Sequence, residues 1–142
     1  MIREARIDDA AKIAALIAAL GFRAAPDQVV QRIEQFTRSG HPVLVADSPP
    51  VGCLTWHVMP VLHRDTQVGR ISMLMVDECA RGRGVGAALV REAERRLIAV
   101  GCRLVEVTSN ERLRDAHAFY ERLGYGRTSW RFAKTLTEAP LT

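Results

Sequence analysis

The stretch Arg81-Gly82-Arg83-Gly84-Val85-Gly86-Ala87 decides how this chain is read. An apolar run, Ile71 to Val76, lies ahead of it, and an amphipathic segment, Val85 to Val100, follows. Glycine lets backbone approach a ligand with no Cβ in the way. A helix starting here presents unpaired N–H groups and a partial positive charge. Arg81 and Arg83 add fixed charge beside those donors. The stretch therefore predicts a site for a phosphorylated ligand at a strand-to-helix junction.

Outward from that junction the pattern is mixed α/β. Val85, Leu89, Ala93, Leu97 and Val100 form one helical stripe, stopped by Gly101. Arg103 to Thr108 alternates as a strand. Leu113, Ala116, Phe119, Tyr120 and Leu123 make a further helix face ended by Gly124, and Thr128 to Leu136 reads as a last strand. On the other side, Val51 to Val58 and Ile71 to Val76 are strands, with Met59 to Gly69 connecting them. His41 to Asp47 is a short β-rich run turned by Ser48-Pro49-Pro50. Before it, Pro26 opens a helix with Val29, Val30, Ile33 and Phe36 at helical spacing up to Gly40. Met1 to Arg6 reads as the first strand, and Asp8 as the cap of a helix running to Gly21. The order βααβββαβαβ contains one crossover helix, Val85 to Val100, between neighbouring strands.

Composition sets outer bounds. At 142 residues, 48% hydrophobic and 25% charged, the chain fits a single globular domain over residues 1–142, with a frayed tail at 137–142. No run approaches the roughly 20 apolar residues that span a bilayer. Charge in Met1-Ile2-Arg3-Glu4-Ala5-Arg6 argues against a signal peptide, and Cys53, Cys79 and Cys102 show neither C-x-x-C spacing nor an even count. The expectation is a cytoplasmic protein with reduced thiols and no metal site. Net charge is +4, but the arginines after residue 81 alternate with Glu92, Glu94, Glu106, Glu111 and Glu121, which argues against a nucleic-acid stripe.

Two familiar phosphate motifs fail on this stretch. A P-loop needs G-x-x-x-x-G-K-[ST], and no lysine follows these glycines. Gly82, Gly84 and Ala87 formally satisfy a dinucleotide fingerprint, with Glu106 where a ribose-binding acid would be sought. However, Asp77 to Arg81 separate strand from glycine, and too little chain remains downstream for a doubly wound sheet.

Leu74-Met75-Val76 followed by Arg81-Gly82-Arg83-Gly84-Val85-Gly86 resembles the acetyl-CoA signature of the GNAT N-acetyltransferase superfamily. A second block agrees: Thr108-Ser109-Asn110, then Asp115-Ala116-His117-Ala118-Phe119-Tyr120-Glu121-Arg122-Leu123-Gly124-Tyr125. Thr128 to Leu136 is similar to the terminal strand of many members, so the resemblance covers nearly the whole chain. It implies an α/β fold with a mixed, mostly antiparallel central sheet flanked by helices, whose fourth and fifth strands splay apart.

The resemblance further implies acetyl-CoA as cosubstrate. Leu74, Met75 and Val76 would offer backbone groups to the pantetheine amides, in the manner of an added strand. The segment Gly82, Gly84, Val85, Gly86 and Ala87 would cradle the pyrophosphate, with Arg81 and Arg83 reaching its oxygens. Asn110 would bond the pantetheine or nearby backbone, although its spacing from Tyr120 is longer than in many members. Direct attack by a neutral amine needs three things: an oxyanion donor, assigned to the Val76 N–H; an acid for the leaving thiolate, assigned to Tyr120; and a base. Many members carry an acid on the fourth strand, whereas Ile71-Ser72-Met73-Leu74-Met75 has none. His57 is the leading substitute, since imidazole titrates near neutrality, ahead of Glu106 and His117. The implied activity is acetyl transfer to a primary amine of a small molecule or peptide. The missing acid also motivates an alternative, a non-catalytic acyl-CoA-binding regulatory module. The stretches Ala24 to Gly40 and Met59 to Gly69, where the family binds acceptors, hold few acids beyond Asp27, Glu34 and Asp65, so a strongly cationic acceptor finds little complement. A homodimer through the sheet or the last strand is compatible with the resemblance.

Overall fold

The structure, a computed structural model, describes residues 1–109 and 114–137. Five strands form one sheet in the order β1-β2-β3-β4-β5: β1 (Ile2–Glu4), β2 (Leu44–Ala46), β3 (Gly52–Met59), β4 (Val68–Val76) and β5 (Leu104–Val107). Pairing is antiparallel from β1 to β4 and parallel between β4 and β5. The helices are α1 (Ala10–Ala19), α2 (Pro26–Arg38), α3 (Val85–Ala99) and α4 (Arg114–Arg122). Helix α3 is the crossover that a parallel pair requires.

Strand alternation splits the core into two layers. Val45, Cys53 and Met75 face α1 and α2, where they meet Ile13, Leu16, Val29 and Ile33. Their chain neighbours Leu44 and Leu54, together with Trp56 and Ile71, face Leu89, Val90, Ala93 and Leu97 of α3. Each such aliphatic side chain removed from water contributes about 1.5–3 kcal/mol, so both helical layers are held by burial. Close contact at two glycines sets how near α3 lies. A Cβ at Gly69 would stand 2.7 Å from Leu97, and one at Gly52 would stand 2.9 Å from Val85 and 3.0 Å from Leu89.

Two sequence expectations change here. Asp9, not Asp8, organises the start of α1. Its carboxylate accepts both terminal nitrogens of Arg3 (2.8 and 2.9 Å) and the Arg6 N–H (2.8 Å). Only the tertiary position of Arg3 on β1 selects between the adjacent aspartates. Second, Thr128–Leu136 forms no strand: it pairs with nothing in the sheet and leaves Trp130 80%, Phe132 93% and Leu136 86% exposed. The tail expected beyond Glu138 lies outside the described residues.

Asp9 is only 6% exposed, and the Arg3 guanidinium holds its carboxyl below the ordinary value. The stabilisation is therefore complete above the unfolded-state pKa of about 3.9 and is lost as pH falls through the lower folded value. Asp9→Asn is expected to reduce unfolding free energy at pH 7 by about 2–3 kcal/mol in urea titrations. The gap to wild type should narrow below about pH 4; a gap independent of pH would separate the effect from the ion pair.

Candidate active site

The pairing of β4 with β5 stops halfway. Its register runs Val68↔Leu104 to Ile71↔Val107 and goes no further, while β4 continues against β3 to Val76↔Gly52. Beyond Ile71 one edge of β4 therefore has no strand beside it. A β-bulge falls at the same point: Thr55 pairs with Met73 and Trp56 with Ile71, leaving Ser72 as the extra residue. The Ser72 hydroxyl lies 2.7 Å from that of Thr55.

The Asp77 N–H donates to the Val51 carbonyl at 2.7 Å, and this fixes the phase of the β3–β4 ladder. In an antiparallel pair, bonded and non-bonded positions alternate. Leu74 and Val76 consequently turn their N–H and C=O groups toward the open edge. Met75, expected to do the same, instead directs its backbone groups at Cys53 of β3 and sends its side chain to the α1/α2 layer.

The open edge leads into the glycine stretch. After β4, Asp77 accepts Lys12 Nζ of α1 at 2.9 Å and the Cys79 N–H at 3.3 Å, which ties this turn to the first helix. Lys12 is also the first cause of the depressed Asp77 carboxyl, at about 2. Gly82 (φ +79°) and Gly84 (φ +77°) occupy the left-handed region, and a Cβ at either would meet nothing within 4 Å. Gly84 is the residue before α3. The first bond of that helix runs from the Ala88 N–H to the Gly84 carbonyl (3.0 Å), so the N–H groups of Val85, Gly86 and Ala87 have no partner within it. Arg81 and Arg83 are exposed and carry no ion pair or hydrogen bond among the described residues. Gly86 has a different task. A Cβ there would stand 3.2 Å from the Phe119 ring, so this glycine lets α4 approach α3.

Phe119, Leu123 and Tyr125 pack on the α3 side of the core, and this docks α4. Its Tyr120 lies between two aromatic rings, edge-on to Phe119 (5.1 Å) and Tyr125 (5.9 Å). Burial raises the Tyr120 phenol, keeping it protonated at neutral pH. The two tyrosines differ in one respect. Tyr125 donates to Glu94 Oε2 at 2.7 Å, whereas the Tyr120 hydroxyl has no protein partner among the described residues.

His57 is half-buried on β3, in register with Arg70. Desolvation first, then Arg70 and His41, lowers its pKa, so the imidazole is neutral at physiological pH. Alternation places it on the same sheet face as Thr55. Glu106, in register with Arg70 on β5, is exposed, and His117 is half-buried on α4. Asn110 lies outside the described residues.

On the α1/α2 face, against the bulge, lies a cleft of about 300 Å³. Ser72, Met73 and Met75 supply its β4 side, and Phe22, Arg23 and Arg32 are on the helical side. His57 and the Met59–Gly69 connection do not line it, and no carboxylate does. Sequence reading missed Arg23 and Arg32. The available signal was Arg32's position directly before buried Ile33 and three residues after buried Val29, on the flank of the inward face of α2.

The sheet is thus open between its fourth and fifth strands, with a bare helix N-terminus at the end of the opening. The profile of the Acetyltransferase (GNAT) family matches residues 11–125, and the chain belongs to that family. It is 37% identical over 86 residues to aminoalkylphosphonate N-acetyltransferase of Salmonella typhimurium, a span covering 61% of this chain and 56% of that protein. It is 38% identical over 65 residues to N-alpha-acetyltransferase MAK3 of Arabidopsis thaliana, covering 46% of this chain and 34% of that one. The matched spans thus reach about half or less of these relatives' lengths. The fold is also that of an acetyltransferase of Trypanosoma brucei (TM-score 0.81, 24% identity, 96% of this chain and 99% of that chain). No helix among the described residues is long and apolar enough to cross a membrane, and no cluster of metal-ligating side chains occurs among them.

The left-handed backbone at Gly84 has a direct consequence. An L-residue there costs about 1–2 kcal/mol, while asparagine tolerates the conformation better than alanine. Thermal melts are expected to rank wild type above Gly84→Asn above Gly84→Ala. Equal melting of all three would show that the turn does not need this conformation.

Proposed function

We propose that this protein is an acetyl-CoA-dependent N-acetyltransferase that passes the acetyl group directly to a primary amine within a ternary complex. The observation that carries the reading is the continuity of the open β4 edge with the unpaired N-terminus of α3, flanked by unpartnered Arg81 and Arg83. The residues fit an acyl-CoA. Leu74 and Val76 hold the pantetheine amides as a strand would, and the N–H groups from Gly82 to Ala87 take the pyrophosphate. Open space over Gly82 and Gly84 suits that role. By the family resemblance, Asn110 would bond the pantetheine or nearby backbone. Bound there, acetyl-CoA supplies an activated acyl group, and the chain does the rest.

The Val76 N–H, directed into the opening, stabilises the charge that develops on the carbonyl oxygen. Tyr120, protonated and with its hydroxyl free, gives a proton to the departing sulfur. His57, kept neutral by its surroundings, takes the proton of the incoming ammonium through water, standing in for the carboxylate that β4 lacks. Both curated relatives are named for N-acetyl transfer, one for aminoalkylphosphonates and one for an N-alpha position, which supports an amine acceptor. The setting is an enzyme of the cytoplasm working on small amines or peptide ends, as a monomer or a homodimer. The alternative of a silent acyl-CoA-binding module loses ground to the free Tyr120 hydroxyl, which binding alone does not require.

Initial rates of thiol release, with acetyl-CoA and amine varied together, are expected to give intersecting double-reciprocal lines. Acetyl-CoA binding without turnover on any amine would support the silent module instead. Tyr120→Phe should lower kcat by roughly 10²-fold or more with acetyl-CoA Kd nearly unchanged; equal kcat would remove Tyr120 from the mechanism.

His57 acts as a base only when neutral. The acidic limb of kcat/KM should therefore fall below the ordinary imidazole value of about 6.5, because the folded pKa is lowered. His57→Ala should abolish that limb, and a limb unchanged in the variant would assign the proton to another group.

A further inference from the structure

The cleft beside the β4 bulge has a charge pattern that selects its occupant. Its floor is apolar thioether and its only hydroxyl is Ser72, yet two guanidiniums, Arg23 and Arg32, line it. They come from different elements: Arg23 from the connection after α1 and Arg32 from the second turn of α2. Neither has a carboxylate or hydrogen-bond partner among the described residues. Among the other half-buried arginines, Arg70 donates to the Thr108 hydroxyl at 3.3 Å, and the remaining two are neutralised. Arg3 is paired with Asp9, and Arg96 is paired with Glu92 and Glu4. Arg32 is half-buried and left without such a partner.

Building on the acetyltransferase reading, we infer that the acceptor is a small amine carrying an anionic group, and that Arg23 and Arg32 bind that anion. A guanidinium presents a planar fork of donors that matches two oxygens of a phosphonate, phosphate or carboxylate. Two such forks from separate elements fix the orientation of a small molecule as well as its charge. The apolar floor at Met73 and Met75 then accommodates a short carbon chain, with the amine directed toward the open β4 edge. Positive charge in the cleft has a second effect, since it disfavours the ammonium form of the acceptor, and only the neutral amine attacks. A polyamine meets repulsion in the same place. At about 300 Å³ the space is at the small end for ligand sites, in keeping with a metabolite of a few carbons.

The test uses the full chain and acceptors matched in length: 2-aminoethylphosphonate, phosphoethanolamine, β-alanine, propylamine and 1,3-diaminopropane. Wild type should acetylate the anionic amines with kcat/KM at least tenfold above propylamine, roughly the contribution of one charged hydrogen bond. The order among phosphonate, phosphate and carboxylate identifies which anion the pair reads. Arg23→Gln and Arg32→Gln should each remove about tenfold of that preference, leaving acetyl-CoA Kd unchanged, which also shows that the variants are folded. Arg32→Lys should restore only part of it, because charge remains and the fork is lost. Propylamine or the diamine matching the anionic amines in wild type would overturn the inference, as would a full preference surviving in the double variant. If no amine turns over, the acetyl-transfer reading fails alone. Calorimetric binding of 2-aminoethylphosphonate to the coenzyme A complex, lost in Arg23→Gln/Arg32→Gln, would still support the anion site, and equal binding to both would overturn it.

Discussion

The end of the β4–β5 ladder at Ile71 and Val107 is the constraint on which the rest of the molecule depends. β4 has nine residues and β5 only four, so the longer strand outruns its neighbour. An unpaired strand edge ordinarily invites another strand. Here the gap is bounded by the start of α3, because α3 lies close over Gly52 and Gly69. The ladder phase turns Leu74 and Val76 into the gap, and the bulge at Ser72 turns the opposite face toward the α1/α2 cleft. One break in pairing thereby creates two adjoining spaces, one edged by backbone and one walled by side chains.

Electrostatics follow the same division of labour. Residues that hold the architecture are paired: Arg3 with Asp9 at the root of α1, Lys12 with Asp77 at the entrance to the glycine turn, and Arg96 with Glu92 and Glu4 along α3. Around the two spaces the pattern reverses, with Arg81, Arg83, Arg23 and Arg32 unpartnered among the described residues. Unspent positive charge at the opening and in the cleft makes both spaces attractive to anions.

Much of this was legible because periodicity and glycine chemistry are local. The stripe of Leu89, Ala93 and Leu97 defines α3, and glycines at 82 and 84 announce a backbone that most side chains resist. The same local logic misread Thr128–Leu136. Its alternating Trp130 and Phe132 are a strand signal, but a strand also needs a partner edge, and alternation carries no information about one. Which of Leu74, Met75 and Val76 face the opening was illegible for a related reason: a run of three residues on a strand cannot all face one edge, and the register that decides which do is set by β3. Arg23 and Arg32 were illegible because they converge from a loop and a helix onto a strand some forty to fifty residues away.

The sequence by itself determined the helices α1 to α4, the strands β1 to β5 and the glycine-rich turn into α3, since each follows from side-chain period and backbone freedom within a few neighbouring residues. Only the tertiary structure decided which backbone groups face the gap, which aspartate anchors α1, which tyrosine keeps a free hydroxyl, and which arginines share the cleft. Those outcomes depend on register and on the packing of elements far apart in the chain. Such relations are stored in the contacts between segments and in no single segment.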